Sequence, residues 1–392
     1  MHEATLITRP SEVDVENLVV SIAELRWASL RPELRPLLTN LKILDWVVAA
    51  ARSGTVINDS SFIGLTNLID ALWERWVQGD TDGLGRSHVL MHVGVLEGDS
   101  LSPGVPRMQL EYSEQAALAT LATSNLIRIR DERVRFAHDL LGDWARMRIL
   151  VGEPTLASPQ NRERANLPRW HRAVRLFGQR LLEQSTDGAT RWQQAVEGLD
   201  DESQSGAVIR DLFLESLFLA TNAAVLLERS WPALSAREGR LLNRMLNRFR
   251  FVATLPDPRI AVLAESDADG AQWEHLLRIP YWPYWGPVLM VLHAHRADVV
   301  RLAPHTAAKI CSLWLRIMPT EVSPGQPTPW RQEAAELAVA IGREIQARNA
   351  EGNYFGNRQD KFAYEAVLWA APELPDEVAA LCLELAERRD LL

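Results

Sequence analysis

The stretch Val134–Leu150, VRFAHDLLGDWARMRIL, decides how this chain is read. Val134, Arg135 and Phe136 alternate apolar and charged side chains, as a short half-buried strand does. Leu140, Leu141, Trp144, Met147 and Leu150 then return at three- and four-residue spacing, which puts them on one stripe of a helix. Asp139 stands where an N-cap belongs. His138 therefore sits at a strand-to-helix junction.

The residues before this junction extend the pattern. Leu126–Arg130 has period two and is separated from Arg133–Phe136 by Asp131-Glu132, so a β-hairpin is expected. Amphipathic helices are expected over 64–79, 85–97 and 112–124, with a Gly- and Pro-rich loop over 98–110. Residues 12–53 read as further helices punctuated by Pro32 and Pro36 and stopped at Ser53-Gly54. Downstream, the polar, proline-containing run 153–167 is the expected domain boundary. Eleven helical segments follow: near 168–185, 189–199, 206–229, 236–253, 258–265, 271–277, 284–296, 298–318, 329–349, 358–371 and 375–389. None reads as a strand, and no strict repeat period is present. The expected fold is mainly α. A winged-helix domain with one small β-hairpin leads into an irregular, HEAT-like helical array. The expected divisions are 1–63, 64–152, a linker at 153–167, and 168–392.

Phe136-Ala137-His138, followed by a helix with Trp144 near its middle, resembles the end of the winged-helix domain in the signal-transduction ATPases of the STAND class, including its NACHT-type members. RPELRPLLTNLKILDWVVAA is similar to the helical segment that follows the ATPase core in that class. The resemblance covers about residues 12–152. It implies that His138 reaches toward a nucleotide and helps to lock an ADP-bound, inactive arrangement. It also implies a regulatory part of a bacterial protein, with a helical array that senses a partner and triggers oligomerisation, often in defence against phage.

The chain departs from that class in one large respect. A P-loop needs G-x-x-x-x-G-K-[ST], so that backbone N–H groups cradle the phosphates and the lysine reaches them. Only Lys42, Lys309 and Lys361 are lysines, and none follows a glycine. The G-x-G-x-x-G fingerprint and a nucleophile elbow are missing too. The expectation is a non-enzyme that binds no cofactor alone. ADP or ATP enters only through a separate ATPase core, in cis or trans, and the chain is expected to be a fragment, a truncated gene or a split-gene subunit.

Composition narrows the classes further. A net charge of −9 over 392 residues argues mildly against nucleic acid as the main partner. The region 112–124, which would enter a DNA groove in a winged helix, carries no basic residue, although Arg128, Arg130, Arg133 and Arg135 on the hairpin could meet phosphates. Two cysteines make neither a disulfide framework nor a zinc site. No membrane span or signal peptide is evident, so a cytoplasmic protein with a protein partner is expected.

Other residues with chemical potential carry a bland reading beside a sharp one. His138 can donate to a phosphate oxygen, or it can simply cap its helix. Asp139 and Asp143 share a helix face and could bind a metal. A cap plus a solvated Asp143–Arg146 ion pair is the plainer account. His88 and His92 have metal-capable spacing but no evident third ligand, and His293 and His295 project to different helix faces. IPYWPYWG at 279–286 gathers Tyr281, Trp282, Tyr284 and Trp285. Exposed, these would form a partner surface; buried, they would form a rigid corner between helices. NYFGN at 353–357 poses the same question.

Overall fold

A computed structural model describes residues 12–25, 35–52, 64–79, 82–152, 158–184, 187–199, 204–257, 278–351 and 359–387. The expected helices at 258–265 and 271–277, the stop at Ser53-Gly54 and the NYFGN motif lie outside the described residues. The protein is mainly helical with a few short strands. Its described helices fall into two compact units. The first holds the described residues through Ser216 together with Ala220–Asn222. The second holds Leu217–Leu219 and the described residues from Ala223 onward. That division lies well downstream of the 153–167 stretch, because helix Pro168–Glu183 packs on helix Asp139–Gly152 within the first unit.

In the first unit, helices Leu65–Trp73, Gly83–Ser100 and Tyr112–Thr123 precede the hairpin of β2 (Ile127–Arg130) and β3 (Arg133–Phe136). Ile127 pairs with Phe136 and Ile129 with Val134. β3 turns Val134 and Phe136 into the core and leaves Arg135 exposed, so the alternation in the sequence is the alternation of the pleat. A further strand, β1 (Val105–Pro106), pairs antiparallel with β3 and gives the order β1-β3-β2. It lies inside the segment expected as loop, where two residues are too few to show a period. Arg133 fixes this edge by donating to Ser102 Oγ at 2.8 Å and to the Gly104 carbonyl at 2.6 Å.

Asp131 and Glu132 both have positive φ, 52° and 53°, as a two-residue hairpin turn of mirror-image type demands. A side chain there is strained by about 1 kcal/mol. Glu132→Gly is therefore expected to raise the unfolding free energy by roughly half to one kcal/mol in denaturant titrations. A loss would contradict this turn geometry.

Buried polar links hold the helices in register. Asp70 accepts from Arg148 at 2.7 Å and from Arg180, so helix 65–73 is tied to the helices at 139–152 and 168–183. Gly64 has no side chain to cap helix Leu65–Trp73. The fully buried Glu183 supplies the missing acceptor from a distant helix, taking the Thr66 N–H at 3.0 Å.

The second unit corrects several expectations. Helix 298–318 is two helices, Arg296–Leu302 and Pro304–Ile317, because Pro304 has no N–H to continue the ladder and takes the first helical position instead. Segment 206–229 breaks between Phe218 and Ala223, at Leu219-Ala220-Thr221-Asn222, a stretch with neither Gly nor Pro to mark it. Strands are present beyond residue 167. β4 (Thr254–Pro256) pairs with β5 (Arg278–Pro280), and β6 (Glu321–Ser323) pairs with β7 (Gln326–Pro327) through a turn with Gly325 at φ 77°. Each spans two or three residues, too short to register as alternation. Among the described residues, no helix is long and apolar enough to cross a membrane.

Candidate functional site

His138 closes the start of helix Asp139–Gly152. Its Nδ1 accepts the N–H of Leu140 at 3.2 Å, and its carbonyl accepts the N–H of Leu141 at 3.0 Å. The helix cap is therefore the histidine, not Asp139 as expected. Asp139 is the first helical residue, where a carboxylate suits the positive end of the helix dipole. An Nδ1 that accepts a hydrogen bond carries no proton, so the neutral ring bears its proton on Nε2.

The ring is half-buried, and among the described residues Nε2 has no hydrogen-bond partner. Trp46 stands edge-on to it at 5.7 Å and in turn meets Trp144 at 4.8 Å and Trp76 at 5.5 Å. Lys42 lies 5.2 Å over the Trp46 ring. Burial pulls the imidazole below its ordinary pKa. Asp139 opposes the shift, while the positive charges of Lys42 and Arg172 add to it.

The folded state binds this proton more weakly than the unfolded chain, whose value is 6.5. The stability linked to His138 is thus whole above that pH, and it is lost as pH falls from there through the folded pKa. NMR titration of the His138 ring carbons is expected to give a midpoint below 6.5. A midpoint above it would contradict the burial and the Leu140 contact.

Sequence reasoning found His138 and missed its surroundings. Lys42 and Trp46 are four apart on one helix, a visible signal that nothing tied to residue 138. Arg172 comes from beyond the expected boundary, and no local pattern could have brought it here.

Asp143 and Arg146 do pair, at 2.8 Å, but the pair is not solvated as expected. Both residues are buried, and Arg146 also faces Glu97 at 3.5 Å. Arg169 approaches Glu97 at 3.4 Å and Arg172 approaches Asp143 at 3.6 Å. Burial raises the Asp143 carboxyl above its ordinary value, against the lowering effect of Arg146 and then Arg172. Asp139 is exposed, so the two carboxylates sit in different environments.

The hairpin arginines face one another. Arg128 is directly opposite Arg135, and Arg130 is opposite Arg133. Arg128, Arg130 and Arg135 are exposed. Like charges directly across a ladder destabilise it, so this ribbon holds a concentrated positive face at a cost to itself.

The remaining candidate residues have neighbours of their own. Glu114 is the third group near His88 and His92, at 3.3 and 2.7 Å. It also accepts the Glu111 N–H at the start of its own helix, and among the described residues no group of three ligands is arranged to hold a metal. His293 and His295 diverge as expected, to Glu336 and Glu228, each at 2.8 Å. Burial pushes the Cys311 thiol up to about 12. Of the four corner aromatics, Tyr281, Trp282 and Tyr284 are half-buried, whereas Trp285 is fully buried and cannot belong to a partner surface. It stacks on Trp314 at 5.7 Å and donates to the Ala253 carbonyl at 2.6 Å, which fixes the corner just past the helix that ends at Val252.

Compared with known proteins, the chain matches no family model, and no curated protein matches it.

Proposed function

We propose that the chain is a non-catalytic regulatory and interaction module of the STAND type. In this reading residues 64–152 act as a winged helix that offers His138 to a nucleotide held by a separate P-loop ATPase core. The helices from 168 onward act as a HEAT-like array that engages a protein partner. The observation that carries the reading is the state of His138. One ring nitrogen is committed to the helix start, the other is left as a donor, and Lys42 and Arg172 lie close enough to lower the ring's pKa. A neutral imidazole held rigidly at a helix start, with cations beside it, suits a phosphate oxygen. The test is co-expression with a P-loop ATPase encoded beside it, followed by measurement of the ADP retained through gel filtration. His138→Ala is expected to reduce retention about tenfold, a loss of roughly 1.4 kcal/mol. Unchanged retention would favour a free-standing helical scaffold.

A second reading, a nucleic-acid-binding regulator, is favoured by the opposed arginines of the hairpin. It requires affinity for duplex DNA that falls with salt, with a slope near −0.9 for each phosphate contacted. Arg128→Glu with Arg130→Glu would then abolish binding. Binding that is weak and indifferent to these changes would remove this alternative.

A further inference from the structure

The second unit contains a cleft of about 240 Å³ that no part of the reading above uses. Its walls carry Arg250, Arg278, Lys309 and Arg316 against a single carboxylate, Glu365. Glu365 already lies 3.5 Å from Lys361. Among the described residues, Arg250, Lys309 and Arg316 have no ion pair. Four cations thus converge in a chain whose net charge is −9. Charges of one sign gathered around a concave wall focus the field on whatever enters.

The cations are positioned rather than scattered. Lys309, Ser312 and Arg316 fall on one face of helix Pro304–Ile317, at i, i+3 and i+7. Arg250 lies in the last turn of the helix ending at Val252, where the dipole favours a cation. Arg278, on β5, donates Nε to Thr254 Oγ1 at 2.7 Å and Nη2 to the Thr254 carbonyl at 2.6 Å. A guanidinium has five donors in a fixed fork, so Arg278 is oriented by two and keeps the rest for a ligand. Burial lowers the pKa of Lys309, and the charge of Arg250 lowers it further, the mark of desolvated like charges lying close together.

Aromatic rings stand beside the cations. Arg250 lies 4.7 Å over Phe251, and Lys309 lies 4.9 Å over Phe362. Both rings line the cleft and both are exposed, Phe251 at 59% and Phe362 at 36%. Exposed rings alternating with cations suit a ligand that has both a phosphate and a planar face. A cleft of this volume suits a small ligand of about mononucleotide size.

We propose that this cleft binds a small phosphorylated ligand with a planar ring, of the mononucleotide class, through Arg250, Arg278, Lys309 and Arg316, with Phe251 and Phe362 flanking the ring. The proposal is independent of His138, which lies in the other unit.

Calorimetric titration of the full chain with AMP, adenosine and inorganic pyrophosphate tests it. AMP is expected to bind about tenfold more tightly than either of the others. Arg316→Gln changes an exposed side chain and should weaken AMP and pyrophosphate about fivefold or more each, with the melting temperature unchanged. Phe362→Leu should weaken AMP and leave pyrophosphate unaffected. His138→Ala should leave AMP binding as it is. No heat from AMP at millimolar concentration would overturn the proposal, as would AMP affinity unmoved by both Arg316→Gln and Lys309→Gln. A single-stranded ten-nucleotide probe that binds far more tightly than AMP, with the same sensitivity to Arg316→Gln, would overturn it in favour of a nucleic-acid contact.

Discussion

Replacing Arg146 by Met is expected to lower the unfolding free energy of the first unit by roughly 3 kcal/mol, measured by denaturant titration. Arg146 is 4% exposed and lies between Asp143 at 2.8 Å and Glu97 at 3.5 Å. Methionine fills the same space, so the loss is electrostatic rather than a cavity. What remains is two buried carboxylates with only the longer contacts from Arg172 and Arg169, plus the Gly104 N–H on Glu97 at 2.9 Å. Breaking one side of a buried network costs far more than the network contributes, because the partners stay desolvated.

The asymmetry within the network is the sharper test. Asp143 already holds its proton more tightly than a free aspartate, since burial outweighs its cationic neighbours. Asp143→Asn removes a poorly solvated charge, keeps an acceptor for Arg146 and leaves Arg146 its contact with Glu97. It is expected to change stability by less than about 1 kcal/mol. A carboxyl whose folded pKa is raised takes up protons on folding, so stability falls as pH rises from 3.8 through the folded pKa. In Arg146→Met that value rises further, and the deficit should shrink as pH is lowered toward 4. Equal losses from Arg146→Met and Asp143→Asn would mean that the pair is not desolvated at all.

The contrast between these residues also shows what a sequence discloses. Helix 139–152 and the hairpin before it were legible because each has a period, 3.6 or 2, that burial enforces along several residues. The strands β1, β4, β5, β6 and β7 were not, since two or three residues carry no period. His138 stood out by its place between a strand and a helix. That its ring, and not Asp139, caps the helix depends on a rotamer and a 3.2 Å contact that no spacing specifies. Likewise, Asp143 and Arg146 are three apart and were expected to pair, but whether water reaches them depends on helices Gly83–Ser100 and Pro168–Glu183. Contacts such as Arg180 with Asp70 or Arg278 with Thr254 span 110 and 24 residues, and each becomes visible only when the chain is folded.

Trp285→Ala is expected to lower the stability of the second unit by roughly 3–5 kcal/mol, the range for truncating a buried aromatic. Trp285 is 0% exposed, stacked on Trp314 at an interplanar angle of 13° and 4.8 Å from Phe249. Trp330 seals the neighbouring position so closely that a Cβ on Gly286 would lie 2.4 Å from its ring, which leaves little freedom for collapse into the vacated space. Trp285→Phe isolates the polar part of the effect. It keeps most of the apolar volume and loses only the N–H donated to the Ala253 carbonyl, which retains the Tyr281 N–H at 3.0 Å. That variant should lose about 1 kcal/mol beyond the cost of its smaller ring. Tyr281→Ala, at a half-buried position, should have a much smaller effect than Trp285→Ala. The ranking separates the two accounts of the IPYWPYWG corner. A recognition surface would tolerate Trp285→Ala with little change in melting temperature and lose a partner instead, whereas a corner that pins helix Trp282–Ala294 to the end of the helix closing at Val252 must lose stability first.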